Sequence, residues 1–145
     1  MKQIAQDLWL NHQKKIRFVL VGVWNTIFGY LVFVAFDYFF ERLVSPRYIA
    51  YMSAAVLSNI LAIINAYIFH KHITFQSTVR GKGIIIEFAR FFSTYLFSMI
   101  LGLILLPVSV EVLGIAPRIS AALLIPVTTI ISYIGHNKFS FRREK

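Results

Sequence analysis

With 145 residues, 58% of them hydrophobic and only 14% charged, and a mean hydropathy of +0.70, the chain is too apolar for a soluble domain of its size; the bilayer is its natural solvent. A net charge of +9 and a pI near 10.1 raise nucleic acid as a partner, but the basic residues sit at the ends of apolar runs instead of forming one patch, so no nucleic-acid partner is expected. The absence of cysteine excludes disulfides, thiolate catalysis and thiolate metal sites.

In chain order, Met1 to Ile16 mixes charged and apolar residues, with Ile4, Leu8 and Trp9 near helical spacing, which predicts a short amphipathic surface helix or a frayed tail. Apolar runs then occupy about 17–40, 48–69, 91–113 and 119–136, each near the ~20 residues that cross hydrocarbon as a helix. The first run starts late and lacks a small-residue cleavage site, so it is expected to stay as a span. Spanning β-strands would alternate with period two, whereas stretches such as VLSNILAII are continuously apolar.

Short turns around Glu41 to Arg47 and Glu111 to Arg118 join spans one to two and three to four. The middle loop, Gln76 to Gly83, carries Ser, Thr and two Gly and is expected to be the most mobile segment. Twelve of the fifteen Lys and Arg lie before the first span, in the middle loop region or after the fourth span; only Arg42, Arg47 and Arg118 lie on the opposite side. Excess Lys and Arg mark the cytoplasmic face, so both termini and the middle loop are assigned there.

Two hairpins joined by one loop suggest duplication. Laying RFVLVGVWNTIFGYLVF (17–33) on RFFSTYLFSMILGLILL (90–106) superimposes Arg17 on Arg90, Phe18 on Phe91 and Gly29 on Gly102. At a slightly different offset, AYIFHKHITF (66–75) echoes SYIGHNKFSF (132–141), pairing the ends of spans two and four. Both halves enter from the same side, so the repeat is parallel, with its pseudo-twofold along the membrane normal. The expected fold is an all-α membrane protein of four spans, built as two parallel-repeat hairpins in a single domain covering 1–145. Stripes of small residues, Ala54, Ser58, Ala62, Ala66 and Thr94, Ser98, Gly102, with Gly22, Thr26 and Gly29 approximating one, let helices approach closely, within one bundle or between protomers of a homo-oligomer. Pro107 and Pro126 interrupt spans three and four and permit kinks.

No ionisable residue lies at a span centre, where it would cost roughly 2.5–3.5 kcal/mol to insert and so mark function. Asp37 and Glu111 lie near external ends, within reach of Arg42 or Arg118, and Glu87 lies at the internal start of span three. A small proton-coupled drug exporter would need a membrane-embedded carboxylate, so that class is disfavoured. Uncharged polar groups do occur at depth: Asn25, Asn59, Asn65, Ser98, Thr128 and Ser132 form a candidate polar seam. Arg17, Lys71, Arg90 and Lys138 come one from each helix end and are candidates to bind phosphate through charge-assisted hydrogen bonds, with His70 and His136 beside them. Tyr67, Tyr95 and Tyr133 offer aromatic faces to a sugar or anchor at the interface. No HExxH, phosphate-loop or dinucleotide glycine pattern occurs, and no Ser, His and acid trio lies at one membrane depth in an obvious arrangement; neither catalytic residues, a metal nor a cofactor is expected.

The RFVLVG opening of span one, the RFFSTYLFS opening of span three, and the span endings His70-Lys71-His72-Ile73-Thr74-Phe75 and His136-Asn137-Lys138-Phe139-Ser140-Phe141 together resemble the GtrA-like family of small four-helix membrane proteins. The resemblance covers about 16–141. Histidine stands where that family commonly has Asn in both endings, Ile73 replaces an aromatic, and the second copy's basic residue is displaced by one. What the resemblance implies is translocation of an undecaprenyl- or other polyprenyl-phosphate-linked sugar across the bacterial cytoplasmic (inner) membrane, among membrane lipids, with a partner polyprenyl-phosphate glycosyltransferase, for glycosylation of O-antigen, teichoic acid or another envelope polymer. The competing reading is a non-transporting anchor that positions such a transferase.

Overall fold

The computed structural model describes residues 2–140, with side chains described for 12–129, and is all-helical. Helix α1 spans Lys2–Leu43, α2 Arg47–Phe69, α3 Gly83–Pro107 and α4 Pro117–Ser140. A π-helical turn, His70–Thr74, continues α2, and a second, Val108–Val112, continues α3. Among the described residues, His12–Leu43, Arg47–Thr74 and Gly83–Val112 are long and apolar enough to cross a membrane. The N-terminal segment is not a separate surface helix: Lys2 onward runs into α1 without a break. Helix α3 starts eight residues before the apolar run at 91, because Ile84, Ile85, Ile86 and Phe88 extend its apolar surface around Glu87.

The packing is that of a membrane bundle, with many small residues inside around a few large ones, Phe33, Tyr51 and Leu106, and large apolar residues over the outer faces. Ala50, Ala54, Ala55, Ser58, Ala66, Ser109 and Ser120 are buried, whereas Leu20, Val23, Ile27, Leu31, Ile60, Leu61, Ile64, Ile100 and Ile104 are exposed. Where lipid tails are as apolar as leucine, burying large side chains gives little, and close backbone approach gives more. Helices α1 and α2 form the most extensive contact, α3 packs on α4 and α2, and α1 also touches α4. The small-residue stripe of α2 does what its spacing predicts: a Cβ added at Gly29 of α1 would lie 3.2 Å from the Ala62 Cβ. The stripe of α3 does something else, for a Cβ added at Gly102 would meet nothing within 4 Å.

One end of the bundle is tied by charge. The Asp37 carboxylate is fully buried and accepts two bonds of 2.7 Å from Arg47 at the start of α2, and one of 2.8 Å from Arg118 Nε at the start of α4. Arg118 also pairs with Glu41, and Arg47 Nε lies 3.6 Å from Glu41 Oε1. Two carboxylates and two guanidiniums thus neutralise one another across α1, α2 and α4. Tyr30 donates to the Arg118 carbonyl at 3.2 Å, and Tyr51, buried in α2, donates to Glu111 Oε1 at 2.8 Å after the turn of α3. Arg42 does not join this network; its guanidinium lies on the Tyr38 ring.

Because Asp37 is the shared acceptor, Asp37→Asn is expected to destabilise the bundle by about 2–3 kcal/mol, short of the loss for a fully buried pair because both arginines stay about a third exposed. Thermal unfolding in detergent measures this. Gly29→Leu is expected to lower stability by about 1–3 kcal/mol through overpacking against Ala62, despite leucine's better helix propensity; an unchanged midpoint would show that the close approach is not needed.

Candidate functional site

The opposite end of the bundle is organised by the π-turn. Widening the helix by one residue carries the backbone past its ordinary end: the Phe75 amide bonds to the His70 carbonyl at 2.9 Å and the Ser77 amide to the Lys71 carbonyl at 2.9 Å. Gln76, with φ 49°, takes the left-handed turn that ends the helix and folds the loop back over Lys71. His70, Lys71 and Thr74 are buried as a result. His70 Nδ1 lies 3.0 Å from Thr74 Oγ1, and its ring packs against Phe18 of α1 at 4.9 Å, Phe91 of α3 at 5.8 Å and Phe75 at 6.1 Å between centroids.

Lys71 is only 9% exposed and uses its ammonium fully. It donates to Glu87 Oε1 at 2.8 Å, to the Val79 carbonyl at 3.1 Å and to Ser77 Oγ at 3.4 Å. Glu87 in turn accepts from Tyr67 OH at 3.0 Å and from Ser77 Oγ at 2.6 Å. Tyr67, Lys71 and Ser77 therefore converge on one carboxylate. A cavity of about 260 Å³ opens here, lined by Tyr67, His70, Lys71, Phe75, Ser77, Glu87 and Phe91. The loop expected to be most mobile is thus tied to Lys71 by three hydrogen bonds, through the Ser77 amide, the Ser77 hydroxyl and the Val79 carbonyl.

A second cavity, of about 250 Å³, lies farther along the bundle between all four helices. Its walls carry Asn25 and Thr26 of α1, Ser58 and Asn59 of α2, Tyr95 and Ser98 of α3, and Thr128 and Thr129 of α4. Asn65 joins indirectly, donating to Asn25 Oδ1 at 3.1 Å. Asn59 donates to the Ala55 carbonyl at 2.8 Å, and Thr128 to that of Leu124 at 2.8 Å. Gly29 and Gly102, superimposed by the proposed duplication, both line this space; Gly29 also lies against Ala62, whereas a Cβ at Gly102 would meet nothing within 4 Å.

The two cavities share one face of α3. Glu87 and Phe91 line the first, Tyr95, Ser98 and Gly102 the second, at the intervals of three and four that align side chains on a helix. Phe91 of the first and Tyr95 of the second are in ring contact, with centroids 4.8 Å apart.

The residues singled out from sequence are distributed as follows. Lys71 and His70 line the first cavity, and Asn25, Asn59, Ser98 and Thr128 the second. Arg17 and Arg90 line neither, but each precedes a phenylalanine, Phe18 within α1 or Phe91 in α3, that touches the His70 ring, so both lie one residue from a ring in contact with the end of α2. Tyr67 is buried, held edge-on by Phe88 at 5.1 Å and Phe91 at 5.6 Å, with its hydroxyl committed to Glu87, whereas Tyr95 is half-buried on the wall of the second cavity. Ser132, Tyr133, His136 and Lys138 belong to the last turns of α4, and their side chains lie outside the described residues. The sequence left Ser77 unassigned and placed Glu87 only at the internal start of span three, without a partner. The signal for Glu87 was its place four residues before Phe91 on the face that continues to Tyr95, Ser98 and Gly102.

A family model described as GtrA/DPMS, transmembrane domain, matches residues 17–141. No curated protein and no solved structure matches the chain. With three helices among the described residues fit to cross a bilayer and large apolar side chains over their outer faces, the chain is a multi-pass membrane protein, and it belongs to the GtrA/DPMS transmembrane-domain family.

Proposed function

We propose that the protein is a non-enzymatic translocator of polyprenyl-phosphate-linked sugar in the bacterial cytoplasmic membrane, serving glycosylation of an envelope polymer such as O-antigen or teichoic acid. The observation that carries this reading is the alignment of two cavities on one face of α3, a charged one at the Lys71 end and an uncharged, amide- and hydroxyl-lined one inside the bundle. An isoprenoid tail can stay in hydrocarbon while phosphate and sugar meet polar groups along that face. On this reading α4 is the fourth span, the termini and the 76–82 loop are cytoplasmic, and the two hairpins are a parallel repeat.

In this scheme Lys71 contacts the phosphate. Arg17 and Arg90, each next to a ring that touches His70 and without a described acidic partner, draw the anionic head group to the bundle, with His70 as the wall beside it; Lys138 and His136 are their counterparts on α4. Asn25, Asn59, Asn65, Ser98 and Thr128 exchange their hydrogen bonds with sugar hydroxyls, Ser132 is assigned to the same seam, and Tyr95 offers a ring face, a role also given to Tyr133. Tyr67 acts on the phosphate side through its hydroxyl. The supplier of the lipid-linked sugar is a polyprenyl-phosphate glycosyltransferase, and a polymer-modifying enzyme outside consumes it, which gives flipping its direction without a nucleotide.

Arg17, Lys71 and Arg90 all changed to Gln should reduce translocation of labelled polyprenyl-phosphate sugar in proteoliposomes at least about tenfold, the loss expected for one charge-assisted contact. Asn25→Leu with Gly102→Leu, which fills the inner cavity, should do the same without touching the charged end. Unchanged transport by folded variants would sink the proposal. Wild-type protein that moves no lipid, yet copurifies with and activates the transferase, would establish the anchoring role instead.

A further inference from the structure

We propose that Tyr67, Lys71 and Ser77 form an anion cradle whose resident occupant is the Glu87 carboxylate, and that a lipid phosphate loads by displacing Glu87. This deepens the reading above and rests on it for the identity of the phosphate. The three donors point at one carboxylate, at 3.0, 2.8 and 2.6 Å, which is the arrangement a phosphate oxygen pair needs.

Burial decides which partner moves. The Lys71 side chain is 8% exposed and that of Glu87 28%, so the carboxylate can rotate toward water from the first turns of α3 while the ammonium cannot. A buried cation left without an anion is strongly disfavoured, so the cradle does not stand empty. Loading is an exchange of anions, not an addition. The exchange conserves charge when the incoming group is a phosphodiester carrying one negative charge, as the carboxylate does. A diphosphate-linked lipid would bring surplus charge into a site with a single ammonium. The cavity of about 260 Å³ gives the incoming group room beside the carboxylate before it leaves. Ser77 belongs to the loop and Tyr67 to α2, so the exchange also transfers the loop's hydrogen bond from α3 to the ligand.

The test uses the full chain in nanodiscs and a fluorescent farnesyl phosphate glucose as probe. Glu87→Gln keeps an acceptor for Tyr67 and Ser77 but removes the competing charge, and should lower the probe's Kd about tenfold. Lys71→Gln should abolish binding in either background, and Ser77→Ala should weaken it in the Glu87→Gln background. Equal Kd for wild type and Glu87→Gln, or binding that survives Lys71→Gln, overturns the proposal. Should Glu87→Gln not fold, Glu87→Asp, which draws the carboxylate back by one methylene, is expected to tighten binding several-fold, and no change there is equally decisive. Competition by inorganic phosphate would support the cradle as a reader of phosphate alone; resistance to it would support the lipid as the ligand. If the variant binds more tightly but wild type moves no lipid, the translocation reading falls and the cradle stands; transport with an unaltered Kd is the reverse.

Discussion

A charge removed from water must keep a counter-charge, and each end of this bundle is organised around one such group. At one end the buried group is Asp37, and its partners, Arg47 and Arg118, come from the first turns of α2 and α4. At the other it is Lys71, held by Glu87 near the start of α3. The two constraints differ in how they can relax. Asp37 is shared by two arginines that are themselves linked to Glu41, so losing any one contact leaves others in place and the helix ends stay tied. Lys71 has one acidic partner among the described residues, and that partner is the more exposed of the two. The first arrangement is built to hold and the second to exchange.

Between these ends there is no charge to hold the helices, and the interior is shaped by small residues and neutral polar groups. Close approach at Gly29 and Ala62 fixes α1 on α2, while the matching glycine of α3 is left facing space. The same residue type therefore does two jobs in the two halves: in one it brings backbones together, in the other it clears a cavity. Asn65 donates to Asn25 across α1 and α2, and Asn59, Ser58 and Thr128 bond to carbonyls of their own helices. Such bonds are worth only about 0.6–2 kcal/mol each within membranes. They suffice to keep the polar groups stable in the resting bundle and are weak enough to be traded for a ligand's hydroxyls.

The helices and their inward faces were legible in the sequence because both depend on short-range periodicity. The apolar runs located all four elements, and of the polar residues singled out at depth Asn25, Asn59, Ser98 and Thr128 line the inner cavity, while Asn65 reaches it only through Asn25 and the side chain of Ser132 is not described. The pairing of Asp37 with Arg118 was among the partners foreseen; that with Arg47 was not, since it depends on the path of the turn after α1. Lys71 and Glu87 are 16 residues apart, and they meet only because the π-turn at His70–Thr74 and the positive φ at Gln76 fold the loop back. A one-residue widening of a helix has no periodic signature, so the sequence marked Lys71 as a basic helix-end residue and left its burial and its partner unseen. The boundary of α1 was missed for a related reason: an amphipathic segment next to an apolar one carries no breaker, and without Gly or Pro the helix continues.

The placement of charge also limits how a head group could move on the proposed path. From Phe91 to Gly102 the path along α3 is eleven residues, roughly 16 Å at 1.5 Å per residue, about half the hydrocarbon thickness. Over that distance the lining offers amides, hydroxyls and the Tyr95 ring but no cation. On the proposed path a singly charged phosphodiester would leave Lys71, cross a neutral stretch and next meet Arg47 and Arg118, each already engaged by Asp37. Departure from Lys71 is possible only if Glu87 returns as the phosphate goes, since the ammonium stays buried. The carboxylate that competes with loading is then the same group that makes release affordable, and a site tuned to bind its lipid too tightly, by losing Glu87, would hold the substrate at the point of capture instead of passing it on.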